Sequence, residues 1–304
     1  MANLRDVRLR MRAIRQTLQV TKAMKLISTA KLRKGRRVLE DMEPYFIRIQ
    51  KSMFDILSGA GMEKSKFLTP GENAASVGST SAESKTSRTA IVVITSDKGL
   101  AGGYNANIFR QVNQLCAKVK NPVLILIGTI GYRYFIHSPW LILENFSFKS
   151  RLPDMDDAKE IAEYVLSQYL WGMFDEIHIV YTHMHSSIKL LPRERQLLPL
   201  NEKKLQEEFE QSGEKRNTLQ FEYWPSRTVV FNHLVPLYIK GIIYGSLVEA
   251  YVSEQSARMS AMDEASKSAE DMLANLQINY NRVRQASITQ EMTEIIGGAA
   301  ALSG

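Results

Sequence analysis

The sequence predicts an α/β protein in which a central α/β segment is flanked by long N- and C-terminal helices that pair as an antiparallel coiled coil. Three features point there. Residues 1–37 hold twelve Lys or Arg against one acid, Asp6, on a helical apolar stripe. Residues 253–304 carry a second helical stripe of opposite sign, with seven acids and four bases. Between these ends, strand-like apolar runs alternate with helical patterns.

The first element runs from about Asn3 to about Gly59, interrupted only by Pro44. Asn3 and Asp6 supply an N-cap and a first-turn acid, which suit the positive end of a helix dipole. Leu4, Val7, Met11, Ile14 and Leu18 step 3, 4, 3, 4, the spacing of a heptad seam. After Thr21 the stripe is expected to continue through the smaller Ala23, Ile27 and Ala30. Some ~55 helical residues would reach ~80 Å, longer than a small domain is wide.

Glu63 to Arg88 is rich in Ser, Thr, Gly, Ala and Asn without periodicity, and reads as a linker. Strands are expected at Thr89–Thr95, Val123–Gly128, Glu176–Thr182 and Ile188–Leu191, with helices at Tyr104–Val119 and Asp156–Leu170. Strand–helix–strand alternation implies parallel strands with right-handed crossovers, a Rossmann-like α/β domain. From about Asn201 the chain turns helical again. Pro225 and Pro236 interrupt it, and then Met259, Met262, Ser266, Ala269, Leu273, Leu276, Tyr280, Val283 and Ser287 again step 3 and 4. Two thin stripes, one on a basic helix and one on an acidic helix, can bury each other by pairing antiparallel, the other solution being that each helix meets a separate partner. The expected domains are therefore 1–60 and 206–304 for the paired helices, 61–88 for the linker and 89–205 for the α/β domain.

The net charge of +7 over 304 residues is local: residues 1–37 contribute +11, so all the rest sums to −4. Cys116 is the only cysteine, which excludes an intramolecular disulfide and a cysteine metal cluster, and its context VNQLCAKV suits a small buried hydrophobe. No apolar signal-peptide core is found at the N-terminus. The most apolar stretch, Leu234 to Val252, is broken by Lys240 and Glu249 and falls short of a membrane span.

Candidate chemistry is sparse. Ile94 to Asn105, ITSDKGLAGGYN, follows a strand, opens a helix and contains Gly99, Gly102 and Gly103, as a phosphate-cradling loop would. It matches neither a P-loop nor G-x-G-x-x-G, and a tight strand-to-helix connection explains it more simply. His183 and His185 would share one face of a strand, but two ligands are too few for a metal. The carboxylate pairs Asp156–Asp157, Asp263–Glu264 and Glu270–Asp271 are expected on solvated helix faces. No Ser–His–Asp or Cys–His arrangement is present, and no cofactor is expected. The N-terminal basic run fits nucleic-acid phosphates or an acidic protein surface, and composition alone does not separate the two.

Five segments carry a resemblance. QVTKAMKLISTAKLRK (Gln19 to Lys34), ITSDKGLAGGYN (Ile94 to Asn105), QLLPL (Gln196 to Leu200), SEQSARMSAM (Ser253 to Met262) and YNRVRQASITQEMTEIIGGAAAL (Tyr280 to Leu302) resemble, in order, the gamma subunit of F-type ATP synthases. The resemblance implies a non-catalytic central rotor shaft. Its terminal helices stand inside a ring of alpha and beta subunits, and its α/β domain sits on the membrane rotor ring beside the epsilon subunit. By the same resemblance, Met24 lies near the acidic lever loop of a beta subunit, with Lys22 and Lys25 as cationic neighbours. Arg258, Gln285 and Thr289 correspond to contacts with the catch region of a beta subunit, and Glu291 belongs to the same upper-shaft cluster facing the beta subunits. Phe221 and Tyr223 correspond to the foot that meets the membrane ring.

Ala101 stands where many relatives have a cysteine, and with Cys116 alone the redox-switched form of the family is excluded. The absence of a transit peptide favours a bacterial source or a mature chain, with the protein peripheral at the cytoplasmic side of the cell membrane. A basic coiled-coil nucleic-acid-binding protein is the alternative from another class, and a nucleotide-binding enzyme using Gly99–Gly103 is a third reading.

Overall fold

The computed structural model describes residues 4–57, 65–68, 88–148, 151–186, 189–201, 205, 207 and 222–302, with residues 300–302 described by backbone alone. Asn3, Phe221, most of 61–88 and the segment 208–220 therefore lie outside the described residues. The chain forms two compact units, residues 30–257 and residues 1–29 with 258–304. The division falls inside both long helices rather than at their ends, as the expected domains had it. The reason is that their sheet-proximal halves share a core with the sheet.

In the larger unit, β1 (Thr89–Ile94), β2 (Pro122–Ile127), β3 (Leu141–Phe146), β4 (Glu176–Met184) and β5 (Leu190–Leu198) form one sheet in the order β3-β2-β1-β4-β5. The first four run parallel, as strand–helix–strand alternation requires. β5 departs from that expectation and returns antiparallel beside β4. It was expected only as far as Leu191, and it continues through Pro192, Arg193, Glu194 and Arg195 to Leu198. An edge strand accepts a proline and charges, since one side faces solvent. β3 was not expected for the same reason: Glu144 and Asn145 break the apolar run of an edge strand that is half exposed.

β1, TAIVVI, is buried along its whole length, and its alternate side chains enter two different cores. Ala90, Val92 and Ile94 face a core shared with Met53 and Ile56 of α1 (Leu4–Leu57), Ile161 and Val165 of α4 (Met155–Leu170) and Phe231 and Ile239 of α5 (Arg227–Leu302). Ile91 and Val93 face the other, with Ile108 and Val112 of α2 (Tyr104–Cys116) and Phe135 of α3 (Thr129–Phe135). Leu205 and Glu207 are helical, in line with the expected turn to helix from about Asn201, and α5 itself spans Arg227–Leu302 and carries Pro236 within it. α1 and α5 approach closely here because Gly35 lies against Val252, where an added Cβ would come within 2.6 Å of Cγ2.

Residues 65–68 correct the linker expectation. Phe67 is buried and stacks on Tyr169, its carbonyl accepts from Leu200 N at 2.7 Å, and Ser65 Oγ donates to Asn232 Oδ1 at 2.7 Å. An aromatic ring in a polar stretch anchored this segment to the core. Asp157 is likewise not solvated. It is buried, closing a capping box in which Asp154 accepts from the amides of Asp156 and Asp157, while Arg151 pairs with both carboxylates. These contacts hold the Asp154 carboxyl below its usual range, the amide of Asp157 contributing most.

Cys116 is buried, and burial pushes its thiol up to about 11. The thiolate fraction at pH 8 is correspondingly small. Native protein is expected to react with a maleimide much more slowly than urea-unfolded protein. Equal rates would show that the α2 face is open.

In the smaller unit, Val7, Met11, Thr21 and Ser28 of α1 are buried and Leu4, Ile14 and Leu18 are half-buried. The heptad persists past Thr21, but through Thr21 and Ser28. Ala23 and Ile27 are exposed, Ile27 by 57%. The expectation had followed apolar letters where the period continued through hydroxyls. On α5 the expected seam holds throughout: Met262, Ser266 and Ala269 are buried, and Met259, Leu273, Leu276, Tyr280, Val283 and Ser287 are half-buried. The pairing is antiparallel, since Arg8 meets Tyr280, Thr21 meets Ser266 and Lys25 meets Asp263.

Candidate functional site

The side chains singled out from the sequence divide by unit and by exposure. Met24 is half-buried on α1, and Lys22 and Lys25 flank it. Both lysines are engaged across the helix pair: Lys22 Nζ lies 2.6 Å from Glu270 Oε1, and Lys25 Nζ lies 2.6 Å from Asp263 Oδ1. Lys267 Nζ reaches the other oxygen of Asp263 at 3.1 Å. Hydrogen bonds from Lys25 and then Lys267 hold the Asp263 carboxyl below its usual range. The expectation that Asp263 and Glu270 are simply solvated is thus corrected, because each faces a cation on the partner helix. Half-exposed pairs of this kind add little net stability.

Beside them, the hydroxyls of Thr21 and Ser266 meet at 2.8 Å inside the seam. Each also lies within hydrogen-bonding distance of a carbonyl on its own helix, Leu18 O at 3.0 Å and Met262 O at 2.7 Å. Both hydroxyls are therefore satisfied, and a buried polar contact of this sort fixes register.

Further along α5, every side chain from Arg284 to Ala299 except Ser287 is exposed. Gln285, Thr289 and Glu291 stand in this stretch. Thr289 Oγ1 donates to Gln285 O at 3.0 Å, and Ser287 Oγ donates to Glu291 Oε1 at 3.4 Å, so these groups are organised along their own helix. Ile288, Met292, Ile295 and Ile296 form an exposed apolar stripe at spacings of four, three and one. The sequence reading missed it, although the same 3.6-residue period would have shown it. Arg258 differs from the other expected contacts, being only 7% exposed. Toward the start of α1, Arg5, Arg8, Arg12 and Arg15 line a groove of about 730 Å³ with Gln277 and Tyr280, and Arg8 donates to the Tyr280 hydroxyl at 2.7 Å.

In the larger unit, Tyr223 is half-buried beneath the Arg227 guanidinium, 5.1 Å from its ring centre. Burial pushes its hydroxyl up. The adjacent Trp224 is 90% exposed.

The Ile94–Asn105 loop uses its polar groups internally. Thr95 Oγ1 donates to Ile127 O at 2.8 Å and accepts from Gly131 N at 3.1 Å. Asp97 Oδ1 accepts from Thr129 N at 3.0 Å, and Asn105 Oδ1 accepts from Ser96 N at 3.1 Å. Its side chains engage the amides of Ser96, Thr129 and Gly131, and the segment locks the ends of β1 and β2 together. His183 contacts Glu249 through Nδ1, away from any shared site with His185. Among the described residues, no group of three or more His, Cys, Asp or Glu side chains is placed to hold a metal ion. No helix among them is long and apolar enough to cross a membrane.

The family profile described as ATP synthase matches residues 3–302. The ATP synthase gamma chain of Acetivibrio thermocellus is 41% identical over 304 residues, covering 99% of this chain and all of that one. The gamma chain of Ruminiclostridium cellulolyticum is 42% identical over 301 residues, covering 99% of both. The chain belongs to the ATP synthase gamma-chain family. Its fold is similar to a chain in the mitochondrial ATP synthase of Euglena gracilis (OSCP/F1/c-ring, rotational state 3), with a TM-score of 0.65, 16% identity and coverage of 98% and 94%.

Proposed function

We propose that this chain is the central-stalk rotor of an F-type ATP synthase, a non-catalytic axle that couples ion flow through a membrane ring to ATP synthesis or hydrolysis in an alpha/beta ring. The observation that carries this reading is the end-to-end match to gamma chains, unbroken across both terminal helices. Its partners on this reading are the alpha, beta and epsilon subunits and the membrane rotor ring. The protein would sit at the cytoplasmic side of the cell membrane, held there through the complex.

The physics fits. Two helices packed along a seam resist bending and twisting better than one. Coupling also requires asymmetry, because three catalytic sites can differ only if each meets a different face of the shaft, and affinity changes only through differential contact. Met24, Lys22 and Lys25 would meet a beta lever, and Gln285, Thr289 and Glu291 a beta catch, all from half-exposed or exposed positions. Arg258, being buried, would act there by holding α5 in place. Tyr223 and Phe221 would belong to the foot. The exposed stripe of Ile288, Met292, Ile295 and Ile296 would turn in an apolar sleeve, and Gly297 and Gly298 leave no side chains there to interlock.

Co-expression tests this directly. The chain is expected to co-purify with alpha and beta subunits as a stoichiometric complex, and removal of residues 297–304 is expected to leave that assembly intact. Recovery of the chain alone, or bound to nucleic acid in a salt-resistant, sequence-sensitive manner, would overturn the reading.

A further inference from the structure

We propose that Asp263 and Glu270 are built-in counter-ions that hold Lys22 and Lys25 in reserve. The shaft then offers an acidic partner segment two exchangeable ion pairs in place of two bare cations. This rests on the functional reading above, in which a carboxylate-bearing lever of a surrounding subunit meets the shaft at Met24.

The first support is where the acids stand. Residues 1–37 carry twelve cations and one acid, so this stretch of α1 has almost no acids of its own to neutralise it. At the height of Met24, α5 supplies the missing charges, each 2.6 Å from a lysine. The second support is exposure. The four side chains are between 35% and 55% exposed, so an incoming carboxylate can replace the resident one without either ion leaving water. Lysine suits such an exchange, since a point charge on a flexible stem tolerates a partner that arrives at changing angles. The third support is Lys267. It already touches Asp263 at 3.1 Å, so the carboxylate keeps a cation when Lys25 departs. Release of Lys25 therefore leaves no carboxylate unpaired. The pairs are not needed to hold the helices together, because Met262, Ala269 and the Thr21–Ser266 contact fill the seam beside them.

Bare lysines would attract an acidic lever strongly and over the whole Debye length, about 10 Å at 0.1 M salt. A shaft with two such cations would be held at the angle where it meets a lever. With counter-ions in place, one pair breaks as another forms, and the contact depends on shape more than on net charge. Asp263 and Glu270 are positioning residues on this account, since they act through the lysines.

The test uses the complex assembled with alpha and beta subunits. The double variant Asp263→Asn with Glu270→Gln keeps side-chain shape and unmasks both lysines. Its ATP turnover is expected to fall severalfold at low ionic strength and to recover at about 0.3 M salt, where charges are screened within a few ångströms. Wild type and the Lys22→Gln with Lys25→Gln variant are expected to respond weakly to salt. The melting temperature of the isolated double variant should match wild type. If it does not, Glu270→Gln alone carries the test, since Glu270 pairs with Lys22 across the helices. Turnover of the unmasked variant that is unchanged, or reduced equally at all salt concentrations, overturns the counter-ion role. Failure of the wild-type chain to assemble with alpha and beta would instead overturn the functional reading on which it rests.

Discussion

Gly128→Ala is expected to destabilise the larger unit by about 3 kcal/mol or more. Gly128 has φ +101, a backbone conformation L side chains rarely adopt, and an added Cβ would sit 2.4 Å from Thr95 O and 2.7 Å from Thr95 Oγ1. Backbone cannot move aside as a flexible side-chain tip can. Relief requires shifting the end of β1, which breaks the Thr95–Ile127 contacts that tie β1 to β2. A urea midpoint well below wild type is the expected result. Gly103→Ala is the control: the nearest atom to its added Cβ, Asn107 Nδ2, is 3.7 Å away, and little change is expected. An unshifted midpoint for Gly128→Ala would contradict the tight-turn account of this motif.

Gln285→Ala combined with Thr289→Ala is expected to lower ATP turnover of the assembled complex about tenfold or more, the scale of losing a contact made only during the working stroke. Both side chains are exposed, and the hydrogen bond from Thr289 Oγ1 to Gln285 O is local to the helix. The isolated chain should therefore melt as wild type does. Arg258→Ala is a poorer probe, because Arg258 is buried and its loss disturbs packing as well as contact. Unchanged turnover in the double variant would remove Gln285 and Thr289 from the contact set.

How much of this was legible in the sequence depended on burial. β1 and β2 stand in the middle of the sheet with both faces covered, so their apolar runs announced them. β3 and β5 are edges, where solvent permits Glu144, Asn145, Arg193 and Glu194, and the pattern dissolved. α3 is seven residues long, too short for a helical period to show. The C-terminal seam was readable in full because its positions are apolar or small at strict spacing. The N-terminal seam misled after residue 18 because Thr21 and Ser28 carry it through hydroxyls while Ile27 points to water.

The candidate contacts came from motif resemblance. What resemblance did not give was the counter-ion arrangement. Lys22 and Glu270 are 248 residues apart, and only the antiparallel register brings them together. The register itself was implied by two complementary stripes, so the pairing could have been found by sliding one against the other. The anchoring of Phe67 had a weaker signal, a single aromatic in a polar stretch.

The central claim is that this chain turns as an axle within a fixed ring, and single-molecule rotation tests it most directly. With the alpha and beta subunits immobilised and a particle attached through Met173→Cys, a position exposed by 42% while Cys116 stays buried, ATP should drive stepwise rotation in one direction. A particle that stays still while the same complex hydrolyses ATP would contradict the account.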